Sequence, residues 1–323
     1  MTDRQPEPGA AAGPRVATKE TLALAGDPDG ALVWDWMGPA EGGQPTTLLL
    51  LINGYQRNRT DFRALRRRLH GQDTALLTVS LDNRGVGETN TCAAFTLEDM
   101  AGDVVRLASL CLSRWPSLAH MALLGISMGG MIAQEAAARL CAPTGSGDTT
   151  RSPILRRLFL VSTRGGSSGN LPSPQTASNT ALPDESGSRQ PPGFDAHLEA
   201  MRRYFGSKFL ASSPLLVNNL AKNTFRTASD EKELGRSRAQ RQAVKGFDGR
   251  RALEAINRAA LPVTIMCGDE DAIMPPVLSR SLAHALSDAE LILYPGAGHL
   301  LLIEEPEAFA NDIRIRLGED RSS

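Results

Sequence analysis

The sequence lacks any long apolar run and any excess of charge of one sign. No stretch approaches the ~18 consecutive apolar residues that a membrane-spanning helix requires, so we expect no membrane partner. The 35 basic residues nearly cancel the 36 acidic ones, and the formal net charge is −1. Because nucleic-acid-binding surfaces are strongly basic, this balance gives no reason to expect nucleic acid as a partner. The composition therefore argues against two broad classes of partner.

Cysteine is scarce, and its spacing gives no sign of a metal site. Four cysteines occur, and none forms a CxxC pair. Because we also find no cluster of metal ligands and no phosphate-binding loop, the sequence predicts neither a metal nor a cofactor. The N-terminal residues contain no apolar segment typical of a secretion signal, and we expect a cytoplasmic, reducing setting. There Cys111 and Cys267, which lie in apolar runs, are predicted to be buried free thiols.

What the sequence does contain is a regular alternation of apolar runs with amphipathic segments. The strand-like runs lie at 48–52, 75–81, 120–124, 158–162, 263–267 and 290–294. The segments with helical spacing lie at 61–70, 97–112, 128–140, 277–286 and 306–317. Strands that alternate with helices predict a mostly parallel sheet flanked by helices, joined by right-handed crossovers.

The alternation is interrupted once, after residue 163. Residues 164–193 are crowded with Gly, Ser, Pro, Asn and Thr and predict a mobile loop, and two helical segments follow at 194–223 and 230–257. The predicted organisation is a flexible tail at 1–19, a core formed by 20–163 and 246–317, a helical cap insertion at 164–245 and a second tail at 318–323. The core opens with strands at 21–25 and 32–37 that flank a turn signal at 27–30.

The strongest chemical signal is the stretch GISMGG at residues 125–130. It contains the pattern G-x-S-x-G and lies between a predicted strand and a predicted helix, where a nucleophile elbow belongs. On so sharp a turn only glycine leaves room at the flanking positions. The helix N-terminus that follows favours developing negative charge. The pattern therefore predicts Ser127 as a nucleophile.

An acid and a base follow in the order that this type of site requires. Asp271 and Asp269 lie in a loop after the strand at 263–267, and His299 lies in a loop after the strand at 290–294. Open α/β sheets place their sites at the carboxyl ends of the strands. The spacing Gly-x-x-Asp-x-x-x-Pro favours Asp271 as the acid, with Asp269 as the second choice. The chain order Ser, Asp, His is that of a hydrolase triad.

Four segments together resemble a known family. The stretch GISMGGMIAQ is similar to the elbow of α/β-hydrolases close to cofactor-free haloperoxidases, enol-lactonases and carboxylesterases. LDNRGVGET at 81–89 resembles their D-x-R-G-x-G-x-S segment, with Thr89 in the serine position. LPVTIMCGDEDAIMPP at 261–276 and GAGHLLLIEEPEAF at 296–309 resemble the segments that carry the acid and the histidine. The resemblance covers roughly residues 20–163 and 245–317 and implies the α/β-hydrolase fold.

The resemblance also implies an oxyanion hole formed by the backbone N–H groups of Tyr55 and Met128. One departure concerns the loop before Tyr55, where the family usually has His-Gly and this chain has Asn53-Gly54. A backbone donor survives a change in a neighbouring side chain, so Asn53 need not abolish activity. The side chain of Gln56 in the same loop is a candidate substrate contact.

These residues predict a serine hydrolase that cleaves a small-molecule carboxylic ester, lactone or thioester through an acyl-enzyme. One alternative is an acyltransferase, or a product-releasing or cyclising enzyme of a biosynthetic pathway, that uses the same triad. A second alternative is a non-catalytic binding protein on the same fold. The insertion is expected to select the substrate. Its apolar residues recur at helical spacing, and Met201 and Phe205 are predicted to contact the acyl group.

Overall fold

The computed structural model describes residues 15–16, 19–40, 43–71, 75–91, 94–142, 155–166, 193–227 and 231–322. The loop predicted at 164–193 therefore lies, apart from 164–166 and 193, outside the described residues. So does Cys92. In the described part of the chain, nine strands form one sheet.

The strands are Arg15–Val16 (β1), Glu20–Leu24 (β2), Asp27–Gly38 (β3), Thr47–Ile52 (β4), Leu76–Leu81 (β5), His120–Ile126 (β6), Leu155–Val161 (β7), Val263–Gly268 (β8) and Ala289–Tyr294 (β9). Their order across the sheet is β1-β3-β5-β4-β6-β7-β8-β9, and β2 pairs with β3. From β5 to β9 all neighbours are parallel. The antiparallel pairs among these strands are the three that involve β3, with β1, β2 and β5. The mostly parallel sheet that the sequence predicts is confirmed.

The continuous apolar run of β4 follows from its position in the middle of the sheet. Successive side chains of a strand point to opposite faces, and both faces are covered here. Leu48 and Leu50 pack into the apolar cluster on one face, whereas Leu49 and Leu51 pack into the cluster on the other. A strand buried on both faces has no solvent side and so loses the alternation of polar and apolar residues.

Two layers of helices cover the sheet. The helices are Arg63–His70 (α1), Leu97–Arg114 (α2), Met128–Leu140 (α3), Phe194–Arg202 (α4), Ser207–Ser212 (α5), Pro214–Thr227 (α6), Glu231–Lys245 (α7), Arg250–Arg258 (α8), Pro276–Ala285 (α9), Leu301–Glu304 (α10) and Pro306–Ser322 (α11). The buried side chains of α2, α3, α8 and α9 join one apolar cluster. Those of α1, α10 and α11 join the other. The helix α2 begins at a capping box between Thr96 and Asp99, as its first turn suggests.

The start of the chain differs from the prediction in two ways. The turn lies at Ala25 and Gly26 rather than at 27–30, because Gly26 has a φ of 73° and supplies the left-handed conformation that the turn requires. Residues 27–30 belong to β3. The flexible tail predicted at 1–19 is also wrong in part, since Arg15–Val16 pairs with β3. A two-residue strand is too short to leave a pattern in the sequence.

The prediction of a flexible tail at 318–323 is wrong for residues 318–322, because the helix α11 continues through them. Side chains near the end of the helix bind the core. Asp320 accepts two hydrogen bonds from the Arg157 guanidinium, at 2.7 and 2.9 Å, and the Arg321 guanidinium donates to Thr47 over 2.9 Å. These contacts join residues that lie far apart in the sequence, and local composition does not reveal them.

The sequence predicts two continuous helical segments after residue 193, and the structure divides them into shorter helices. We call α4 to α7, at residues 194–245, the inserted helices. The first segment breaks at 203–206 and again at Ser213, which gives α4, α5 and α6. The second breaks between α7 and α8, and α8 belongs to the core because Leu253 and Ile256 pack into its apolar cluster. Of the inserted helices, α4, α5 and α6 pack around Phe205, Val217 and Leu300, whereas Ala243 of α7 joins the core cluster.

Candidate active site

Ser127 stands on the turn between β6 and α3 in a strained conformation, with φ 56° and ψ −118°. The strand that ends before it and the helix that begins after it are those that the sequence predicts. A Cβ added to Gly125 would lie 2.2 Å from the carbonyl oxygen of Gly129. A Cβ added to Gly129 would lie 2.1 Å from that of Ile52. Both contacts are shorter than any real Cβ permits, so the turn requires glycine at both positions.

The backbone on both sides of Ser127 is held by hydrogen bonds. Its N–H donates to the carbonyl oxygen of Val161 over 2.8 Å. Its own carbonyl oxygen accepts from the N–H of Gly130 over 2.9 Å and from the hydroxyl of Thr163 over 2.7 Å. A strained residue persists when its surroundings fix it in this way, and only 8% of Ser127 is exposed.

Asp271 and His299 form a buried pair at the carboxyl end of the sheet. The imidazole Nδ1 of His299 lies 2.8 Å from Oδ2 of Asp271. The other carboxylate oxygen accepts the backbone N–H groups of Ile273 and Met274 at 2.9 and 2.8 Å. The two residues are 2% and 4% exposed. A carboxylate fixed at both oxygens favours the imidazole tautomer with Nδ1 protonated, which leaves Nε2 free to accept a proton.

The two acidic neighbours of Asp271 have other partners. Oδ1 of Asp269 accepts the backbone N–H of Gly296 over 2.7 Å. The carboxylate of Glu270 accepts the backbone N–H and the hydroxyl of Ser207, at 2.6 and 2.7 Å. Of the three adjacent carboxylates, Asp271 is therefore the one that contacts the imidazole, and the other two fasten the histidine loop and α5.

Two groups fix the histidine loop itself. The backbone N–H of His299 donates to the carbonyl oxygen of Tyr204 over 2.8 Å. The carboxylate of Glu304 accepts three backbone N–H groups, from Gly206, Gly298 and Leu300, at 2.8, 2.9 and 3.1 Å. Burial raises the pKa of Glu304 although these three donors act in the opposite direction. Because Gly206 belongs to the inserted helices, Glu304 joins them to the loop that carries His299.

The segment after β4 approaches the nucleophile closely. A Cβ added to Gly54 would lie 3.2 Å from Cβ of Ser127 and 3.2 Å from the carbonyl oxygen of Ile126. A side chain at position 54 would therefore crowd the nucleophile. Neither the backbone N–H of Tyr55 nor that of Met128 donates to an acceptor among the described residues. Both are available to an incoming oxygen atom.

The side chain of Asn53, which stands where the family usually has histidine, organises this segment. Its carbonyl oxygen accepts the backbone N–H of Gly54 over 2.8 Å. Its amide nitrogen donates to the carbonyl oxygen of Asn58 over 2.9 Å and to Oδ2 of Asp61 over 3.1 Å. The backbone oxygen of Asn53 accepts from the amide of Asn83 over 2.9 Å. Every polar group of this buried side chain is thus used to fix the loop.

The carboxylate of Asp61, which accepts the hydrogen bond from Asn53, also forms an ion pair with the Arg57 guanidinium over 2.8 Å. Burial raises the pKa of Asp61, and the Arg57 charge and the Asn53 hydrogen bond lower it in part. The segment at 81–89 supports the same loop, since Asp82 accepts the backbone N–H of Arg59 over 2.8 Å. The role of the D-x-R-G-x-G-x-T segment is therefore structural, with Thr89 donating to the backbone oxygen of Asp82 over 2.6 Å.

Tyr55 and Gln56 contact the inserted helices. The hydroxyl of Tyr55 is hydrogen-bonded to the hydroxyl of Ser237. The backbone N–H of Gln56 donates to the side chain of Gln240 over 2.9 Å. Gln56 has a left-handed φ of 55°, which non-glycine residues seldom adopt. The helix α7 therefore lies against the segment that the sequence assigns to the oxyanion hole.

Met201 and Phe205 lie on the inserted helices with different degrees of burial. Met201 is half-buried. Phe205 is 4% exposed, stacks on Phe209 with ring centroids 5.1 Å apart, and packs with Val217 and Leu300. Their predicted contact with substrate stays a prediction.

Sequence reasoning did not find Tyr204, Glu304 or the partners of Asn53. The ring of Tyr204 packs edge-on against the imidazole of His299, with centroids 5.7 Å apart. The position of Tyr204 between the predicted substrate contacts Met201 and Phe205 was the available signal. Nothing in the sequence pairs Glu304 with the backbone of Gly206, 98 positions away.

The described residues contain no group of His, Cys, Asp or Glu side chains that could hold a metal ion. Within the same part of the chain, no helix is both long enough and apolar enough to cross a membrane.

Residues 49–312 match the model of the alpha/beta hydrolase family, and the chain belongs to this family. Membership of this family indicates that the protein is an enzyme of the hydrolase class and that its substrate is a small molecule. The match covers the elbow, the histidine loop and the inserted helices alike.

The chain is similar to several known members of this superfamily. A Mycobacterium tuberculosis protein provisionally named non-heme bromoperoxidase BpoC is 26% identical over 232 residues, which cover 71% of this chain and 78% of the relative. A thermophilic esterase from Thermogutta terrifontis is similar in structure, with a TM-score of 0.69 at 23% identity over 94% of this chain and 99% of the esterase. The enol-lactonase from Burkholderia xenovorans LB400 has a TM-score of 0.66 at 22% identity over 93% of this chain and all of the lactonase. The two structural likenesses show the fold.

Proposed function

We propose that this protein is a serine hydrolase that cleaves a small-molecule carboxylic ester, lactone or thioester through an acyl-enzyme. The observation that carries the proposal is the buried contact of 2.8 Å between His299 and Asp271, at the same end of the sheet as the elbow of Ser127. A serine on an elbow followed by an oriented imidazole is the arrangement that acyl transfer requires. The esterase and the lactonase among the similar structures are in keeping with this chemistry.

The reaction has two steps. Oγ of Ser127 attacks the carbonyl carbon while Nε2 of His299 takes its proton, and Asp271 stabilises the imidazolium that forms. The bond to the leaving group breaks, and His299 gives its proton to the departing oxygen or sulfur. Water then attacks the acyl-enzyme with His299 again as base. The acid is released, and the proton returns to Ser127.

The negative charge that develops on the carbonyl oxygen requires two donors. The backbone N–H groups of Tyr55 and Met128 fill this role in the proposal, because neither is used elsewhere in the described structure. The N-terminus of α3 adds a favourable field at the same place. Loss of one oxyanion donor costs on the order of 3 kcal/mol of transition-state stabilisation.

In the proposal the inserted helices are a cap that selects the substrate. Hydrogen bonds at Tyr55, Gln56 and His299 tie them to the loops of the site. Gln56 and Met201 line the space below the cap, and Phe205 supports it or contacts the acyl group. Substrate preference then depends on the cap, since the triad and the oxyanion donors are common to enzymes with unrelated substrates.

The same contacts favour one alternative, in which the acyl group passes to an alcohol or amine rather than to water. A cap tied to the site at three points restricts the entry of water, and water exclusion decides the fate of an acyl-enzyme. Adding a primary alcohol during turnover and measuring the ratio of new ester to free acid distinguishes the two outcomes. A non-catalytic binding protein would form no acyl-enzyme.

Labelling by a fluorophosphonate together with a panel of acyl esters, lactones and thioesters tests the proposal. We expect wild type to be labelled at Ser127, and Ser127→Ala and His299→Ala to lose at least ~10³-fold in turnover, because triad members act as a unit. Ser162→Ala is a matched control, since Ser162 is also buried with a left-handed φ of 47° after a parallel strand. Near-normal turnover by Ser127→Ala would contradict the proposal.

A further inference from the structure

The three tyrosines of the chain differ in what their hydroxyl groups bind. The hydroxyl of Tyr55 is bonded to Ser237, and that of Tyr294 donates to the carboxylate of Asp312 over 2.7 Å. In the described structure the hydroxyl of Tyr204 has no hydrogen-bond partner. The hydroxyl oxygen is not among the fully buried atoms that lack a partner, so it is open to solvent and free to donate a hydrogen bond to a ligand in the site.

Tyr204 lies at the centre of the candidate site. Its ring meets the imidazole of His299 edge-on, and its backbone oxygen accepts the N–H of the same residue. Tyr55 is close enough to influence its ionisation. Since Tyr55 follows Gly54, which borders Ser127, Tyr204 lies beside the imidazole and in the neighbourhood of the loop next to Ser127.

The hydroxyl of Tyr204 is a donor under all ordinary conditions. Burial raises its pKa, and the neighbouring Tyr55 and Asp271 raise it further, against a smaller opposite effect of Arg57 and Arg203. The phenol therefore stays protonated at neutral and mildly alkaline pH. A neutral donor is suited to an uncharged acceptor oxygen.

The position of Tyr204 beside His299 indicates which part of the substrate it meets. In the proposed acyl transfer, the base also delivers the proton to the leaving group, so a side chain packed on the imidazole is placed to contact the leaving alcohol. The carbonyl oxygen lies elsewhere, at the backbone donors of Tyr55 and Met128. An acceptor in the alcohol part of the substrate is thus the partner within reach of Tyr204.

We propose that Tyr204 is a specificity-determining residue whose hydroxyl donates a hydrogen bond to an ether or carbonyl oxygen in the alcohol part of the substrate. The preferred substrates are then esters or lactones that carry a second oxygen close to the ester oxygen, rather than purely alkyl esters. This inference rests on the proposed serine-hydrolase function and adds the substrate class to it.

The test compares two esters that differ in one atom, 2-methoxyethyl butyrate and n-butyl butyrate. They share the acyl group and have alcohol parts of equal length, and only the first carries the extra acceptor. We expect wild type to prefer the methoxyethyl ester. Tyr204→Phe keeps the ring against His299 and should lower kcat/KM for the methoxyethyl ester by about 3- to 12-fold, within the range expected for one lost hydrogen bond. The value for the butyl ester should change less than about twofold.

Tyr294→Phe is the matched control, because it removes a phenol bonded to Asp312 outside the site and should leave the ratio of the two esters unchanged. An unchanged ratio in Tyr204→Phe, with normal labelling of Ser127 by a fluorophosphonate, would overturn the role of Tyr204 and leave the proposed function standing. Equal losses for both esters would likewise overturn it, since the hydroxyl would then act on catalysis rather than on the alcohol part. Failure of wild type to label at Ser127 would instead overturn the proposed function and this inference together.

Discussion

The side-chain amide of Asn53 donates to Oδ2 of Asp61 over 3.1 Å, while the carbonyl oxygen of the same amide accepts the N–H of Gly54 over 2.8 Å. One side chain therefore connects a buried carboxylate to the backbone that borders Ser127. A histidine, the usual residue of the family here, has two ring nitrogens and no carbonyl oxygen. Asparagine offers one acceptor and two donor hydrogens, and this chain uses all of them.

We expect Asn53→Ala to lower kcat by about 10- to 100-fold with little change in KM, because the proposed oxyanion donor, the backbone N–H of Tyr55, would lose its fixed position. Asp61→Asn should have a smaller effect, since its amide oxygen still accepts from Asn53. Steady-state kinetics on one ester measure both. Asn257→Ala is the control, because Asn257 bonds Ser287 and Ala285 outside the site. A rise in KM with unchanged kcat in Asn53→Ala would show that Asn53 binds substrate instead.

Asp271→Asn should lower turnover by about 10³- to 10⁴-fold, because an amide in place of the carboxylate favours the wrong tautomer of His299. Asp269→Asn, two residues away, is the matched control. The wild-type Asp269 carboxylate accepts the backbone N–H of Gly296. The Asp269→Asn variant should therefore retain most of the activity and lose some stability. Turnover and thermal unfolding of both variants measure these effects. A severe loss of turnover in Asp269→Asn beside a mild one in Asp271→Asn would assign the acid to position 269.

Met201→Ala should change the relative kcat/KM across acyl-chain lengths by roughly 10- to 200-fold, the range that apolar pocket contacts provide. Phe205→Ala should also change it, and should in addition cost about 3–5 kcal/mol of stability, because Phe205 packs in a buried cluster with Val217 and Leu300. Labelling of Ser127 by a small fluorophosphonate should stay near normal in Met201→Ala. If both variants lose stability while the preference for chain length is unchanged, these residues only hold the cap together.

The prediction of buried free thiols at Cys111 and Cys267 is confirmed, and it has a consequence for stability at high pH. Burial raises the pKa of each thiol to about 12 from an ordinary value of 9.0. The unfolded chain therefore loses these protons first, and the stability that they contribute is complete below about pH 9 and lost as the pH rises toward 12. Neither thiol should react with iodoacetamide in the native protein at pH 9, as mass spectrometry can show.

Urea unfolding at pH 8, 9 and 10 provides the second measurement. The free energy of unfolding of wild type should fall with pH more steeply than that of Cys111→Ala, by up to about 1.4 kcal/mol per pH unit between pH 9 and 12. Identical slopes in the two proteins, or rapid alkylation of Cys111 at pH 9 in the folded state, would show that this thiol is not shielded from solvent.

The sequence by itself determined the elements whose cause is local. Strands buried on both faces have a continuous apolar run, as at β4, and a nucleophile elbow needs glycines at fixed distances from Ser127. The first pattern reflects burial of apolar side chains on both faces of one strand, and the second reflects steric exclusion beside the serine. The alternation of strands and helices and the order Ser, Asp, His can also be read from the sequence, because each depends on segments that are contiguous in the chain.

The tertiary structure alone decided which residues meet across long separations. Local spacing favours Asp271 over Asp269, but only the approach of the loops after β8 and β9 shows which carboxylate reaches His299. The contact of Tyr204 with His299 joins positions 95 apart, and β1 and the end of α11 are fixed by partners elsewhere in the chain. Such contacts depend on how whole elements pack against one another, and no periodicity within one segment encodes them.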